Sequence, residues 1–247
     1  MNLLPQINYF APHFYVQADE HINTAEDLQN RMRQLDFAGF EKNEIAYFPQ
    51  NYKPHFFITE FAIFLGEPRK NPNYNSNLHA LMFFYFLMNF YGSASIDGII
   101  YHSFLGKAPF VFLEADAQAF NNNIANKKSG YKNIGVIPLQ VQAEQAFFKN
   151  VGQKYVRLVK QGDIQVLVTQ TGNQYIYFII NPTASDVSLD KKKIMDALKD
   201  ETDLSFTYYD FHDLNSKSNI PVSQVTMKKF RDVNSIDVKK YSVIIVK

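Results

Sequence analysis

Apolar residues in the first part of the chain come in blocks that alternate between strand-like and helix-like spacing. "INYFAPHFYV" (Ile7 to Val16) is aromatic and β-rich. In "TAEDLQNRMRQLDFAGFEKN", a Thr24 cap, early acids, and apolar Leu28, Met32 and Leu35 predict a helix. The pattern repeats with "HFFITEFAI" as a strand, the loop "GEPRKNPNYNSN", and "LHALMFFYFLMNFY" as a buried helix. A third strand, "IDGIIYHSFL" (Ile96 to Leu105), follows, and "IPLQVQAEQAFFKNVG" from Ile137 predicts another helix. Such alternation predicts parallel βα units covered on both sheet faces, with a site at the carboxyl ends of the strands.

From about Tyr155 the period changes to two. "YVRLVKQG", "IQVLVTQTGN", "YIYFIINPTA", "DLSFTYYDFHD" and "YSVIIVK" are short alternating runs, bounded by turn signals at Gly162, Thr171 to Asn173 and Asn181 to Thr183. They predict an antiparallel β-sandwich. The fold class expected is therefore α/β followed by all-β, divided into residues 1–152 and 153–247.

The 247 residues suffice for one large domain or two modest ones, and 46% hydrophobic residues can fill a sizeable core. With 23 Phe, 15 Tyr and no Trp, that core is phenyl-rich. Lys and Arg total 25 against 24 Asp and Glu, which removes the electrostatic footprint of a nucleic-acid binder. The longest apolar run, Ala80 to Met88, is far short of the roughly 20 residues of a spanning helix, so no membrane partner is expected. The absence of Cys excludes disulfides and thiolate metal sites. "MNLLPQINYF" has no secretory-signal pattern, and localisation stays open. His13, His55, His79, His102 and His212 show no metal-ligand spacing, and "GSAS" (Gly92 to Ser95) lacks the form of a nucleophile elbow. No metal or cofactor is expected.

The candidate chemistry lies in "PHFFITEFAIFLGE", where one carboxylate, Glu60, interrupts an apolar run. A strand-end carboxylate that pairs with a Lys or Arg, or reaches solvent, is the ordinary reading of a Glu in a strand. The hydrophobic residues on both sides, and the position just before a βα loop, point instead to a functional group, because burying a carboxylate costs several kcal/mol unless it is paired.

"FFITEF" resembles the seventh barrel strand of the retaining (β/α)8 glycoside hydrolases of the cellulase, xylosidase, arabinofuranosidase and agarase type. In those enzymes the strand-seven Glu is the catalytic nucleophile, and the resemblance gives that role to Glu60. One unit upstream, His13-Phe14-Tyr15 matches a His-x-Tyr at the end of strand six. Alternation points His13 and Tyr15 the same way. The resemblance implies that they hydrogen-bond the nucleophile or the sugar. One unit downstream, "IDGIIYHSFLG" matches strand eight, where many members carry a Trp platform; here Tyr101 or His102 takes that place. "KKYSVIIVK" is similar to the closing strand of the small sandwich appended to several of these barrels.

Retaining hydrolysis needs a second carboxyl group roughly 5 to 5.5 Å from the nucleophile. The family's acid/base Glu stands on strand four, and nothing here matches its motif; Asp19 and Glu20 are more ordinary as solvated loop charges. A barrel takes about 250 residues, so the expectation is a truncated barrel of strands six to eight. The remainder is either an upstream part of a longer enzyme or another chain. An oligo- or polysaccharide is the expected substrate, with self-association through the open barrel edge. The alternative is a non-catalytic carbohydrate-binding or interaction module in which Glu60 is structural.

Overall fold

The computed structural model describes residues 9–17, 25–34, 42–43, 46–49, 52, 55–64, 76–93, 96–101, 105–106, 113–114, 139–194, 203–228 and 232–247. The first part contains β1 (Tyr9–Phe10), β2 (His13–Gln17), α1 (Ala25–Gln34), β3 (His55–Phe64), α2 (Asn77–Tyr91) and β4 (Ile96–Tyr101). The short β5 (Leu105–Gly106) and β6 (Leu113–Glu114) pair in parallel, and α3 (Leu139–Asn150) follows. β1, β2 and β4 all pair with β3, and all three pairings are parallel. The run Ile7 to Val16, expected as one strand, is divided at Ala11 and Pro12. Thr59 N donates to the Pro12 carbonyl at 3.3 Å across that break.

The later part begins with β7 (Lys154–Gln161), β8 (Ile164–Thr171), β9 (Gln174–Asn181), β10 (Val187–Asp190) and the single turn α4 (Lys191–Ile194). It continues with β11 (Asp203–Asp210), β12 (Val222–Lys228), β13 (Ser235–Val238) and β14 (Ser242–Val246). Six of these strands form one antiparallel sheet in the order β12-β11-β14-β9-β8-β7, while β10 pairs with β13 in a separate ribbon. Gly162 (φ 62°) and Gly172 (φ 57°) occupy the two-residue turns of the β7–β8 and β8–β9 hairpins, where a positive φ favours residues without Cβ.

Alternation along the central strands sorts the core into two layers. Phe178, Ile180, Val243 and Ile245 face the layer that holds α2 and α3. Tyr177, Ile179, Ile244 and Val246 face Leu189, Ile236 and Val238 of the ribbon. The second layer of the expected sandwich is thus a two-stranded ribbon with α4, because helices already cover the opposite face. The core itself runs across residue 152 without interruption.

α2 is the hub of that core. Thirteen of its fifteen residues are buried, as a helix apolar on every side requires. Phe86 stacks on Phe61 of β3 at 3.6 Å between ring centroids and 7° between planes. From another side of the helix, Phe84 meets Phe147 of α3, Phe178 of β9 and Tyr209 of β11. The first amides of a helix lack intrahelical partners. Here Asn77 N donates to the Ser216 carbonyl and Leu78 N to the Leu214 carbonyl, both at 2.9 Å, while Ser76 Oγ accepts from His79 N. Asn77 Nδ2 adds a bond to the Asp213 carbonyl.

The other end of α2 is joined to the antiparallel sheet by a buried polar group. Asn89 Nδ2 donates to Gln165 Oε1 at 2.9 Å, and Gln165 Nε2 donates to the Tyr85 hydroxyl at 2.5 Å. Gly152 sits against β8, its N–H bonded to Thr169 Oγ1 and its carbonyl accepting from the Tyr91 hydroxyl.

Two predictions follow from the hub. His79 is fully buried on α2, and burial pushes its imidazole from 6.5 down to about 3. The unfolded chain therefore binds this proton first, so the contribution to stability is full above pH 6.5 and is lost as pH falls towards 3. Denaturant unfolding of the protein and of His79→Gln between pH 7 and 4 should show their difference in stability changing by about 3 kcal/mol. At Gly152 a Cβ would lie 2.6 to 2.8 Å from backbone atoms of Gln170. Gly152→Ala should cost about 1 to 3 kcal/mol in the same measurement.

Candidate active site

The structure explains how a carboxylate sits in the apolar run of β3. The register pairs Ile58 with Ile99 but Phe61 with Tyr101, so β3 carries one extra residue between them. Such a bulge reverses the phase of side-chain alternation. Phe56 and Ile58 before it, and Phe61 and Ile63 after it, all lie in the helix-facing core. Glu60 is consequently turned to the opposite face, with its side chain 34% exposed. An unbulged strand would place it with Phe56 and Ile58, both of which have no solvent exposure.

Next to it, β2 is in register His13 to Glu60, Phe14 to Phe61 and Tyr15 to Ala62. Neighbours in a ladder share a face, so Phe14 enters the core while His13 and Tyr15 flank Glu60. The Tyr15 hydroxyl donates to Glu60 Oε2, and His13 Nδ1 lies 3.2 Å from the same oxygen. Burial, together with the bond to the Glu60 carboxylate and its charge, pushes the Tyr15 phenol up to about 12. The phenol therefore keeps its proton and remains a donor to Glu60 through neutral pH.

Glu60, His13 and Tyr15 are thus brought together on adjacent parallel strands. Glu60 stands in mid-strand at the bulge and His13 is the first residue of β2, so neither stands at the carboxyl end of its strand, the place that the sequence predicts. Tyr101 ends β4, its backbone opposite Phe61. The side chain of Tyr101, and all of His102, Asp19 and Glu20, lie outside the described residues.

A second polar group was not legible in the sequence. His55 Nδ1 lies 3.1 Å from Asp97 Oδ2, and the nearby Asp97 carboxylate raises the Tyr9 phenol. Tyr9 is in register with His55, and both share the Glu60 face, roughly 16 Å away along the strand. Only the pairing of three strands assembles this group, and no spacing within "PHFF" or "IDG" announces it.

No family model matches the chain, and no curated protein matches it in sequence. Solved structures match it in shape. Over 97% of this chain, an arabinose-bound GH51 α-L-arabinofuranosidase superposes with a TM-score of 0.57 at 12% identity, using 36% of its own length. The fold is glycoside-hydrolase-like. A β-porphyranase of glycoside hydrolase family 86 from Bacteroides plebeius gives 0.54 at 13% identity, over 97% of this chain and 40% of its own. A 4-O-α-L-rhamnosyl-β-D-glucuronidase from Fusarium oxysporum, solved as a Rha-GlcA complex, gives 0.56 at 8% identity, over 95% and 52%. The chain therefore spans about a third to a half of the length of these neighbours.

The Tyr15 to Glu60 bond has a pH signature. A phenol raised from 10 to about 12 contributes stability that is full below pH 10 and disappears as pH rises through 12. Ultraviolet titration should show one late-ionising tyrosine fewer in Tyr15→Phe than in the unsubstituted protein. The gap in stability between the two proteins should narrow from pH 10 upwards.

Proposed function

We propose that this chain is the C-terminal part of a retaining glycoside hydrolase. Its parallel region corresponds to strands six to eight of a (β/α)8 barrel, and the part from residue 153 to the appended β-domain. The observation that carries the reading is Glu60, displaced from the core of a parallel strand by a bulge, hydrogen-bonded by Tyr15 and flanked by His13, in a glycoside-hydrolase-like fold. In this reading Glu60 attacks the anomeric carbon, and the leaving oxygen takes a proton from a second carboxyl group. The same carboxyl group then removes a proton from water, which cleaves the glycosyl ester and restores Glu60.

Tyr15 and His13 fix the attacking carboxylate and can meet sugar hydroxyls, while His102, one residue beyond the end of β4, is assigned to the sugar-binding rim. The partners described for Glu60 are a phenol and an imidazole, so the proton donor is assigned to strands beyond those described here. An oligo- or polysaccharide substrate accords with the arabinose and Rha-GlcA bound by two of the neighbours. No cofactor, nucleic acid or membrane enters the scheme.

The test is covalent trapping in the complete gene product. A panel of 2-deoxy-2-fluoro glycosides with dinitrophenolate leaving groups should place one adduct on the peptide containing Glu60. Glu60→Gln keeps the size and hydrogen-bonding capacity but lacks the anionic oxygen, so kcat should fall by several orders of magnitude while sugar binding persists. Normal turnover in Glu60→Gln, or an adduct on another carboxylate, would take the nucleophile's role from Glu60; neither turnover nor an adduct in the complete gene product, with sugar still bound, would replace this reading with that of a carbohydrate-binding module.

A further inference from the structure

The strands that carry the Glu60 group on one side carry a line of stacked rings on the other. Phe14 of β2, Phe61 of β3, and Phe86 and Phe90 of α2 lie one behind the next, their planes 14°, 7° and 6° apart in turn. Phe14 and Phe61 form the ladder step that follows His13 and Glu60. Phe61 therefore enters the core one residue after Glu60 leaves it, and Phe14 stands between His13 and Tyr15. The line runs from the two strands of the polar group straight into the helix.

Its middle contact is unlike the others. Centroids are 6.1 Å apart for Phe14 and Phe61 and 6.3 Å for Phe86 and Phe90, as in offset pairs, whereas those of Phe61 and Phe86 are 3.6 Å apart and the rings lie face to face. That is the contact distance of carbon atoms, so Phe86 stops Phe61 from moving deeper. Phe83 also meets Phe61, but at 6.3 Å and tilted by 35°. The stop matters because β3 is bulged here. The extra residue between Ile58 and Phe61 loosens the hold of the β4 ladder on this stretch. The depth of Phe61 then sets how far the Glu60 carboxylate stands from the Tyr15 hydroxyl.

We propose that Phe86 is a positioning residue for Glu60, acting through the ring of Phe61. The placement rests on the packing of β2, β3 and α2 alone, and its consequence for turnover rests on the glycosidase reading. With a smaller side chain at position 86, Phe61 sinks towards α2 and draws the backbone of Glu60 away from Tyr15. The attacking oxygen then loses the donor that fixes it, and a misplacement of about 1 Å costs up to about a hundredfold in rate. Sugar contacts elsewhere are untouched, so the loss falls on kcat rather than on KM.

The experiment compares Phe86→Leu with Phe84→Leu. Both rings are buried on the same helix, but Phe84 packs on Phe147, Phe178 and Tyr209, away from β3. Circular dichroism and denaturant unfolding check that the two variants fold and lose similar stability. Should Phe86→Leu fail to fold, Phe86→Met replaces it, since a flexible thioether fills the space without presenting a flat stop. The protein is labelled with carbon-13 at tyrosine Cζ, and Tyr15 is assigned at pH 7 by the resonance that Tyr15→Phe lacks. In Phe86→Leu that resonance should move towards the position of a solvated tyrosine, and in Phe84→Leu it should stay. In the complete gene product, kcat should fall about tenfold or more in Phe86→Leu. KM should stay within about twofold, and Phe84→Leu should keep both constants within about the same margin.

An unmoved Tyr15 resonance in the position-86 variant, or an equal movement in both variants, would overturn the proposal. So would an unchanged kcat in the active enzyme. A moved resonance in a protein that no fluorinated sugar labels would leave the positioning standing and remove the glycosidase reading. A label on Glu60 with the resonance unmoved would do the reverse.

Discussion

A helix apolar around its whole circumference cannot rest on a single partner, and α2 therefore obliges two sheets to exist on either side of it. Its Phe86 belongs to the parallel sheet and its Phe84 to the antiparallel one. Each sheet supplies the cover that the other cannot. The Asn89, Gln165 and Tyr85 bonds limit how the two can slide, because a shifted helix would leave buried amides without partners. The position of Glu60 over the core is thus set at second hand, through Phe61 and the helix behind it.

The bulge in β3 solves a packing problem and a chemical one together. The strand must bury Phe56, Ile58, Phe61 and Ile63 on one side, and a regular alternation permits only one parity. Changing parity at Thr59 and Glu60 satisfies the apolar residues and releases the carboxylate towards Tyr15 and His13. The interrupted line of β1 and β2, with Pro12 accepting from Thr59, lies beside the same irregularity.

Much of this was readable in the chain. The helical run from Leu78, the strands around Phe56 and Phe178, and the oddity of Glu60 all follow from periodicity and from the cost of burying charge. His13 and Tyr15 were readable as a same-face pair. The bulge was not, since it is a property of how Ile58 and Phe61 pair with β4, and a single sequence carries no pairing partner. The same holds for Asp97 with His55 and Tyr9. β10, β12 and β13 escaped because they are short, or, like β12, expose nearly every side chain and so lack a period.

The cap on α2 bears on how the protein is made. The amides that begin this helix are satisfied by carbonyls of Leu214 and Ser216, and Asn77 reaches Asp213, 136 positions further along the chain. A ribosome delivering the chain from its amino end exposes this helix, the most apolar of those described, long before those residues emerge. During that interval its phenyl groups have no permanent cover, the situation in which nascent chains turn to chaperones. Completion of the helix is thus among the last events of synthesis, although its sequence is among the earlier parts translated.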